Sequence, residues 1–135
     1  MSNLWTSFTD YIINNYRDSE KIVEVGVGRV LEPSNILKKE LPTCNIELVD
    51  IYPANESVVM DDITDPEDYI YEGADLIYAV RPPEELQNSI FNLGVRYDAD
   101  IIIKPLFTEE ISYNLQNKLK LVNYKRSVFY EYKRK

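Results

Sequence analysis

Lys21-Ile22-Val23-Glu24-Val25 is a short, mostly β-branched run that stops at Gly26-Val27-Gly28, and no other segment constrains the fold as much. The pattern predicts a buried strand ending in a tight turn, because glycine reaches the left-handed backbone region without a steric penalty. A helix is expected next, over 33–41. Pro33 suits a first helical position, Ile36, Leu37 and Leu41 oppose Lys38, Lys39 and Glu40, and Pro42 forces the stop.

The same alternation continues along the chain. Leu4, Trp5, Phe8, Ile12 and Tyr16 recur at helical spacing, with Asn3 as a possible cap, so 3–17 reads as an amphipathic helix. Strands are expected at 45–50, 57–62, 74–80 and 99–104, with a short helix at 65–71 and another opened by Pro82-Pro83 that runs to about Leu93. Thr108 can cap a further helix whose Ile111, Leu115 and Leu119 face inward, and the tail from Lys120 to Lys133 suits an antiparallel hairpin. Strands alternating with helices imply a Rossmann-like three-layer α/β sandwich, its sheet mainly parallel with a C-terminal antiparallel hairpin. At 135 residues, the expectation is a single domain spanning 1–135.

Composition removes several chemistries. There is no histidine, so an imidazole base and a Ser-His-Asp triad are excluded, and the usual soft metal ligands are missing. The single cysteine, Cys44, cannot close an intramolecular disulfide. No apolar run approaches the ~20 residues that span a bilayer, and Met1–Asp10 lacks a signal pattern, so a soluble, cytoplasmic protein with no membrane association is expected. The net charge of −8 is unevenly spread: residues 1–117 carry 8 basic and 22 acidic side chains, residues 118–135 carry 7 basic and 1 acidic. Most of the surface should therefore repel phosphate backbones, which leaves the basic C-terminal segment as the one place for nucleic acid. An edge hairpin defended by Lys and Arg is the default reading of that segment. The eleven tyrosines fall largely at helix or strand spacing and read as core edges.

Chemistry points to the strand ends. Glycines two apart before a helix let backbone approach a ligand, and the helix start offers free N–H groups to an anionic portion. Asp50 lies 24 residues after Gly26, near the ~20-residue offset at which a carboxylate grips a ribose diol in dinucleotide-type folds. Asp61 and Asp62 end the third strand, and being adjacent only one of them can point into a cleft. With Asp65 they lack a calcium-loop pattern, so no metal is expected. Arg81 closes the fourth strand, where α/β proteins build sites, and could anchor a carboxylate.

These motifs resemble the class I S-adenosylmethionine-dependent methyltransferases over approximately residues 21 to 105. The resemblance implies that Glu24, Gly26 and Gly28 form the cofactor turn, with Asp50 on the ribose and Tyr52 beside the adenine. It further places Asp61 or Asp62 at the adenine amino group, and Arg81-Pro82-Pro83 at the motif after strand four. S-adenosylmethionine is then the implied cofactor, a small adenosine-containing ligand the implied partner. A cleft rimmed by Glu24, Asp50 and Asp61 would attract the cofactor's positive charge.

The sequence also departs from that family. Val30 stands where a third glycine is common. Arg81 replaces the Asn or Asp that holds a target nitrogen in amino-methylating members. Only six residues separate Asp50 from Ser57, where a parallel crossover needs about ten to twelve, so the joining helix is expected to be deleted and the third strand to be short, displaced or unpaired. In size and element order the chain looks most like an uncharacterised archaeal protein family that keeps a trimmed methyltransferase-type core, which implies the fold and no established activity. Three readings follow: binding of S-adenosylmethionine with methyl transfer, a non-catalytic interaction module on the same fold, or another nucleotide-binding protein. The helix at 3–17 and the hairpin are the surfaces a partner would use; the oligomeric state and methyl acceptor stay open.

Overall fold

β-Branched and aliphatic runs form the strands of a seven-stranded sheet in the computed structural model, which describes residues 5–105 and 111–134. They are β1 (Lys21–Val25), β2 (Asn45–Asp50), β3 (Val58–Met60), β4 (Leu76–Val80), β5 (Asp100–Lys104), β6 (Lys120–Tyr124) and β7 (Ser127–Tyr132), arranged β3-β2-β1-β4-β5-β7-β6. The first five pair in parallel. β7 runs antiparallel to β5, with Ile102 opposite Glu131, and forms a hairpin with β6. The order turns back at β1, so β2 and β4 leave that strand in opposite directions and open a crevice at their carboxyl ends.

Alternating side chains send each strand's residues to opposite faces. On one face Ile22, Leu48, Leu76, Tyr78, Ile102 and Phe129 pack under α1 (Thr6–Asn15) and α2 (Glu32–Glu40). On the other, Val23, Val49, Ile77, Ile101 and Ile103 pack against α3 (Asp68–Tyr71) and α4 (Gln87–Tyr97). The result is the expected three-layer α/β arrangement. No helix of the described residues is long and apolar enough to cross a membrane.

Four expectations need correction. The strand expected at 57–62 is confined to β3, but it is paired: Leu48, Val49 and Asp50 oppose Val58, Val59 and Met60. β3 meets only the final half of β2, so the helix-free link 51–57 returns about 10 Å, within reach of seven extended residues. The helix expected to end near Leu93 starts with a 3₁₀ turn at Glu84–Leu86 and continues as α4 to Tyr97. Gly94 stays inside it because a Cβ there would fall 2.7 Å from Ile101 Cδ1, so this glycine allows helix–sheet contact and does not end the helix. The one- or two-turn helix expected around 65–71 is present as one turn, α3, and only its start is corrected, to Asp68. The helix expected after Thr108 is, in its described part, a 3₁₀ turn at Tyr113–Leu115, because Ser112 is extended and gives its N–H to Gln87 Oε1 at 2.6 Å. Ile111, Leu115 and Leu119 are buried as expected. Asn3, Leu4, Thr108, Glu109 and Glu110 lie outside the described residues.

At the amino ends of the strands the basic tail folds back onto the acidic body. Lys133 Nζ lies 3.6 Å from Asp100 and 3.4 Å from Glu131, and Arg134 lies 3.4 Å from Asp75. Tyr16 donates to Asp100 at 2.7 Å, Tyr11 to Glu131 at 2.8 Å, and Lys125 pairs with Asp10 at 2.7 Å. These contacts tie α1 and the hairpin to the sheet, those of Tyr16, Lys133 and Arg134 at the end away from the crevice and that of Lys125 at the hairpin turn, beyond the carboxyl end of β5.

Candidate functional site at the strand carboxyl ends

Gly26 and Gly28 both adopt positive φ, +68° and +62°, directly after β1. A Cβ at either position would meet nothing within 4 Å, so the turn demands glycine for its backbone shape and leaves open space in front of it. The amides of Gly26 and Val27 donate to Val49 O at 2.9 and 3.3 Å, which pins the turn to β2.

Asp50 at the end of β2 completes that attachment. Its Oδ2 accepts from the Gly28 amide at 2.7 Å and its Oδ1 from the Tyr52 amide at 2.8 Å. A carboxylate offers about four acceptor positions, so roughly two remain for a ligand. Asp50 therefore holds the glycine turn in shape and still presents unfilled lone pairs beside it.

Two cavities meet at Gly26. The first, about 280 Å³, has apolar walls from Val25, Val49, Ile51, Ile63, Leu86 and Ile90, with Asp50, Asp61, Asp62, Pro82 and Pro83 at its border. The second, about 200 Å³, is lined by Trp5, Glu24, Gly28, Arg29, Pro33 and Arg81 among others. Together they reach the range of about 300–1,000 Å³ common for small-molecule sites.

Glu24 forms part of the second cavity, 2% exposed, its Oε1 accepting from the Tyr78 hydroxyl at 2.7 Å. Burial pushes its pKa up to about 7, and the Tyr78 hydrogen bond partly offsets that. At neutral pH this carboxyl is divided between charged and neutral forms. Arg81 ends β4 with φ +55°, its amide donating to Lys104 O at 2.7 Å and its guanidinium 5.4 Å from the Trp5 ring centre.

The two aspartates after β3 part company. Asp61, 8% exposed, turns inward and accepts from the Tyr71 hydroxyl at 2.6 Å and the Glu67 amide at 3.2 Å. Asp62 is exposed and closes a local turn through the Thr64 amide and hydroxyl at 2.9 and 2.7 Å, bonds that hold its carboxyl below the usual carboxylate range. Tyr52 is 82% exposed and meets the crevice through its backbone amide. Among the described residues no group of three or more acidic or cysteine side chains could hold a metal ion.

Glu24, Gly26, Gly28, Asp50, Asp61, Asp62 and Arg81 thus all border the two cavities, and the Tyr52 ring stands outside them. Sequence reasoning missed Trp5, Ile63, Leu86 and Ile90 as walls. It also missed Tyr78, although its spacing from Leu76 and its register with Glu24 put its hydroxyl on the Glu24 face.

Strand order, the glycine turn and the acidic end of β2 together define a class I methyltransferase-like fold, and solved structures share it. An S-adenosyl-L-methionine methyltransferase from Silicibacter pomeroyi DSS-3 superposes with a TM-score of 0.62 at 12% identity, covering 96% of this chain and 90% of that one. The plantazolicin methyltransferase in complex with SAH gives 0.55 at 18% identity over 74% of this chain and 44% of that one. By sequence the chain belongs to the uncharacterised protein family UPF0146, whose model matches residues 5–134. A UPF0146 protein of the archaeon Methanothermobacter thermautotrophicus is 42% identical over 129 residues, 96% of this chain and 95% of that protein. One from Archaeoglobus fulgidus is 37% identical over 123 residues, 90% and 88% of the two chains.

Proposed function

We propose that this chain binds S-adenosylmethionine, or a close adenosine relative, across the carboxyl ends of β1, β2 and β4, and acts as a small methyltransferase. The supporting observation is Asp50: one carboxylate braces the glycine turn through Gly28 and keeps about two acceptor positions at the mouth of an apolar cavity.

The residues present fit the group. The 280 Å³ cavity offers aliphatic walls for a purine, Asp50 offers acceptors to a ribose diol, and the Glu24 side offers a carboxyl to an ammonium. When bound, the cofactor supplies an electrophilic methyl group on a sulfonium. This chain's residues would align it, shield it from water and orient an acceptor, and alignment carries much of such a reaction without a histidine base.

A non-catalytic module on the same fold is the second reading, favoured by the exposed, helix-free link 51–57 beside the cavity. Calorimetric titration separates the two. Micromolar binding of S-adenosylmethionine and S-adenosylhomocysteine, lost in a folded Asp50→Ala variant, supports the proposal. Absent or millimolar binding supports the interaction module, and tight binding of NAD or ATP instead assigns the site to another nucleotide.

A further inference from the structure

Arg29, Arg81 and Lys104 stand at the carboxyl end of the sheet without a carboxylate within 4 Å among the described residues.

The arrangement is costly in three ways. Val80 and Lys104 are register partners, and the Arg81 amide donates to Lys104 O, so Arg81 and Lys104 leave adjacent strand ends as like charges. Lys104 is half-buried and is pushed below its usual pKa, first by desolvation and then by Arg81. Arg81 also occupies the left-handed backbone region, φ +55°, which carries a penalty in a side-chain-bearing residue. Aromatic faces on the α1 side stand in for carboxylates: Arg81 lies over Trp5 at 5.4 Å and Lys104 over Phe8 at 5.8 Å. Lys104 Nζ donates to Val128 O at 3.2 Å, and its other two N–H groups have no protein acceptor among the described residues.

We propose that Arg81 and Lys104, with Arg29 across the 200 Å³ cavity, bind the phosphate or carboxylate group of a small second substrate. An anion there relieves the repulsion and uses the free donors, and Arg81 can meet it with two parallel N–H bonds. The position of Lys104 argues against the ribose end of the adenosine compound, and the cofactor's own carboxylate, which would enter the cavity that Glu24 shares with Arg29 and Arg81, is the source the test must exclude. β5 is three strands from β2, about 14 Å at the usual spacing, so Lys104 lies far from Asp50. This inference deepens the methyltransferase reading by naming the acceptor as anionic, yet its test needs no cofactor.

The experiment is a titration of the isotope-labelled full chain with inorganic phosphate, and separately with citrate, read by backbone amide shifts. Saturable shifts at Arg29, Arg81 and Lys104, weakened at least tenfold in Arg81→Gln/Lys104→Gln, support the proposal. A thermal melt confirms that this variant folds, and Arg81→Lys is expected to retain partial binding. Non-saturating shifts, or shifts equal in wild type and the double variant, overturn it. S-adenosylhomocysteine is then titrated into the same variants. Retained affinity supports a separate anionic substrate, and an affinity lost in parallel with phosphate assigns the cations to the cofactor and overturns the proposal. Phosphate binding with no S-adenosylhomocysteine binding in wild type sinks the methyltransferase reading and leaves the anion subsite standing.

Discussion

Glu24 lies beneath the glycine turn with one oxygen on Tyr78, and burial carries its pKa from 4.5 to about 7. Between those values the folded chain holds a proton that the unfolded chain has released, so this residue makes stability fall as pH rises from about 4.5 through 7. A shift of that size corresponds to roughly 3 kcal/mol. Glu24→Gln keeps an acceptor for Tyr78 and removes the titration, so the variant is expected to match wild type near pH 4.5 and melt at higher temperature at pH 8. An unchanged difference between the two melts across that range contradicts the assignment. Asp61 gives a second case. Tyr71→Phe leaves its buried carboxylate with only the Glu67 amide, and an acceptor stranded in this way costs about 1–3 kcal/mol. Urea unfolding of the variant measures that loss.

Among the elements, two glycines answer different demands. Gly94→Ala drives a Cβ into Ile101 where α4 meets β5, an overpacking worth about 1–3 kcal/mol. Combining it with Ile101→Ala should be clearly non-additive, whereas Gly26→Ala, whose cost is backbone strain in open space, should add independently to Ile101→Ala. Double-mutant cycles by denaturant unfolding decide both. The contrast also explains what the sequence made legible. β1 and β2 and the hairpin could be read because β-branched runs and turn residues specify them locally, and the acidic end of β2 pointed to Asp50. Gly94 was opaque because its reason lies in Ile101, on another element. The stretch 111–119 misled because Ile111, Leu115 and Leu119 recur at helical spacing and are all buried, although only a 3₁₀ turn at Tyr113–Leu115 forms there. The inward turn of Asp61 depended on Tyr71, ten residues away, and no local pattern records that partner.

At the scale of the molecule, three cations of the basic tail are spent on the body: Lys125 reaches Asp10, Lys133 reaches Asp100 and Arg134 reaches Asp75. β7 meanwhile covers the edge of β5, and Phe129 fills the α1 face. A chain ending at Pro105 would bare that edge and its Ile101–Ile103 run, so it is expected to aggregate, as scattering from the purified fragment would reveal. A monomeric, cooperatively melting fragment contradicts this role for the hairpin. What would join fold to the proposed function is the Asp50 carboxylate, which braces the glycine turn and on that proposal takes an adenosine diol. The most direct measurement compares adenosine with 2′,3′-dideoxyadenosine in amide-shift titrations of wild type and Asp50→Ala. The account predicts that wild type prefers the diol by about tenfold or more, as hydrogen bonds to a charged acceptor require, and that the preference vanishes in the variant. Equal affinity of wild type for both nucleosides, or a preference that survives the loss of Asp50, contradicts it.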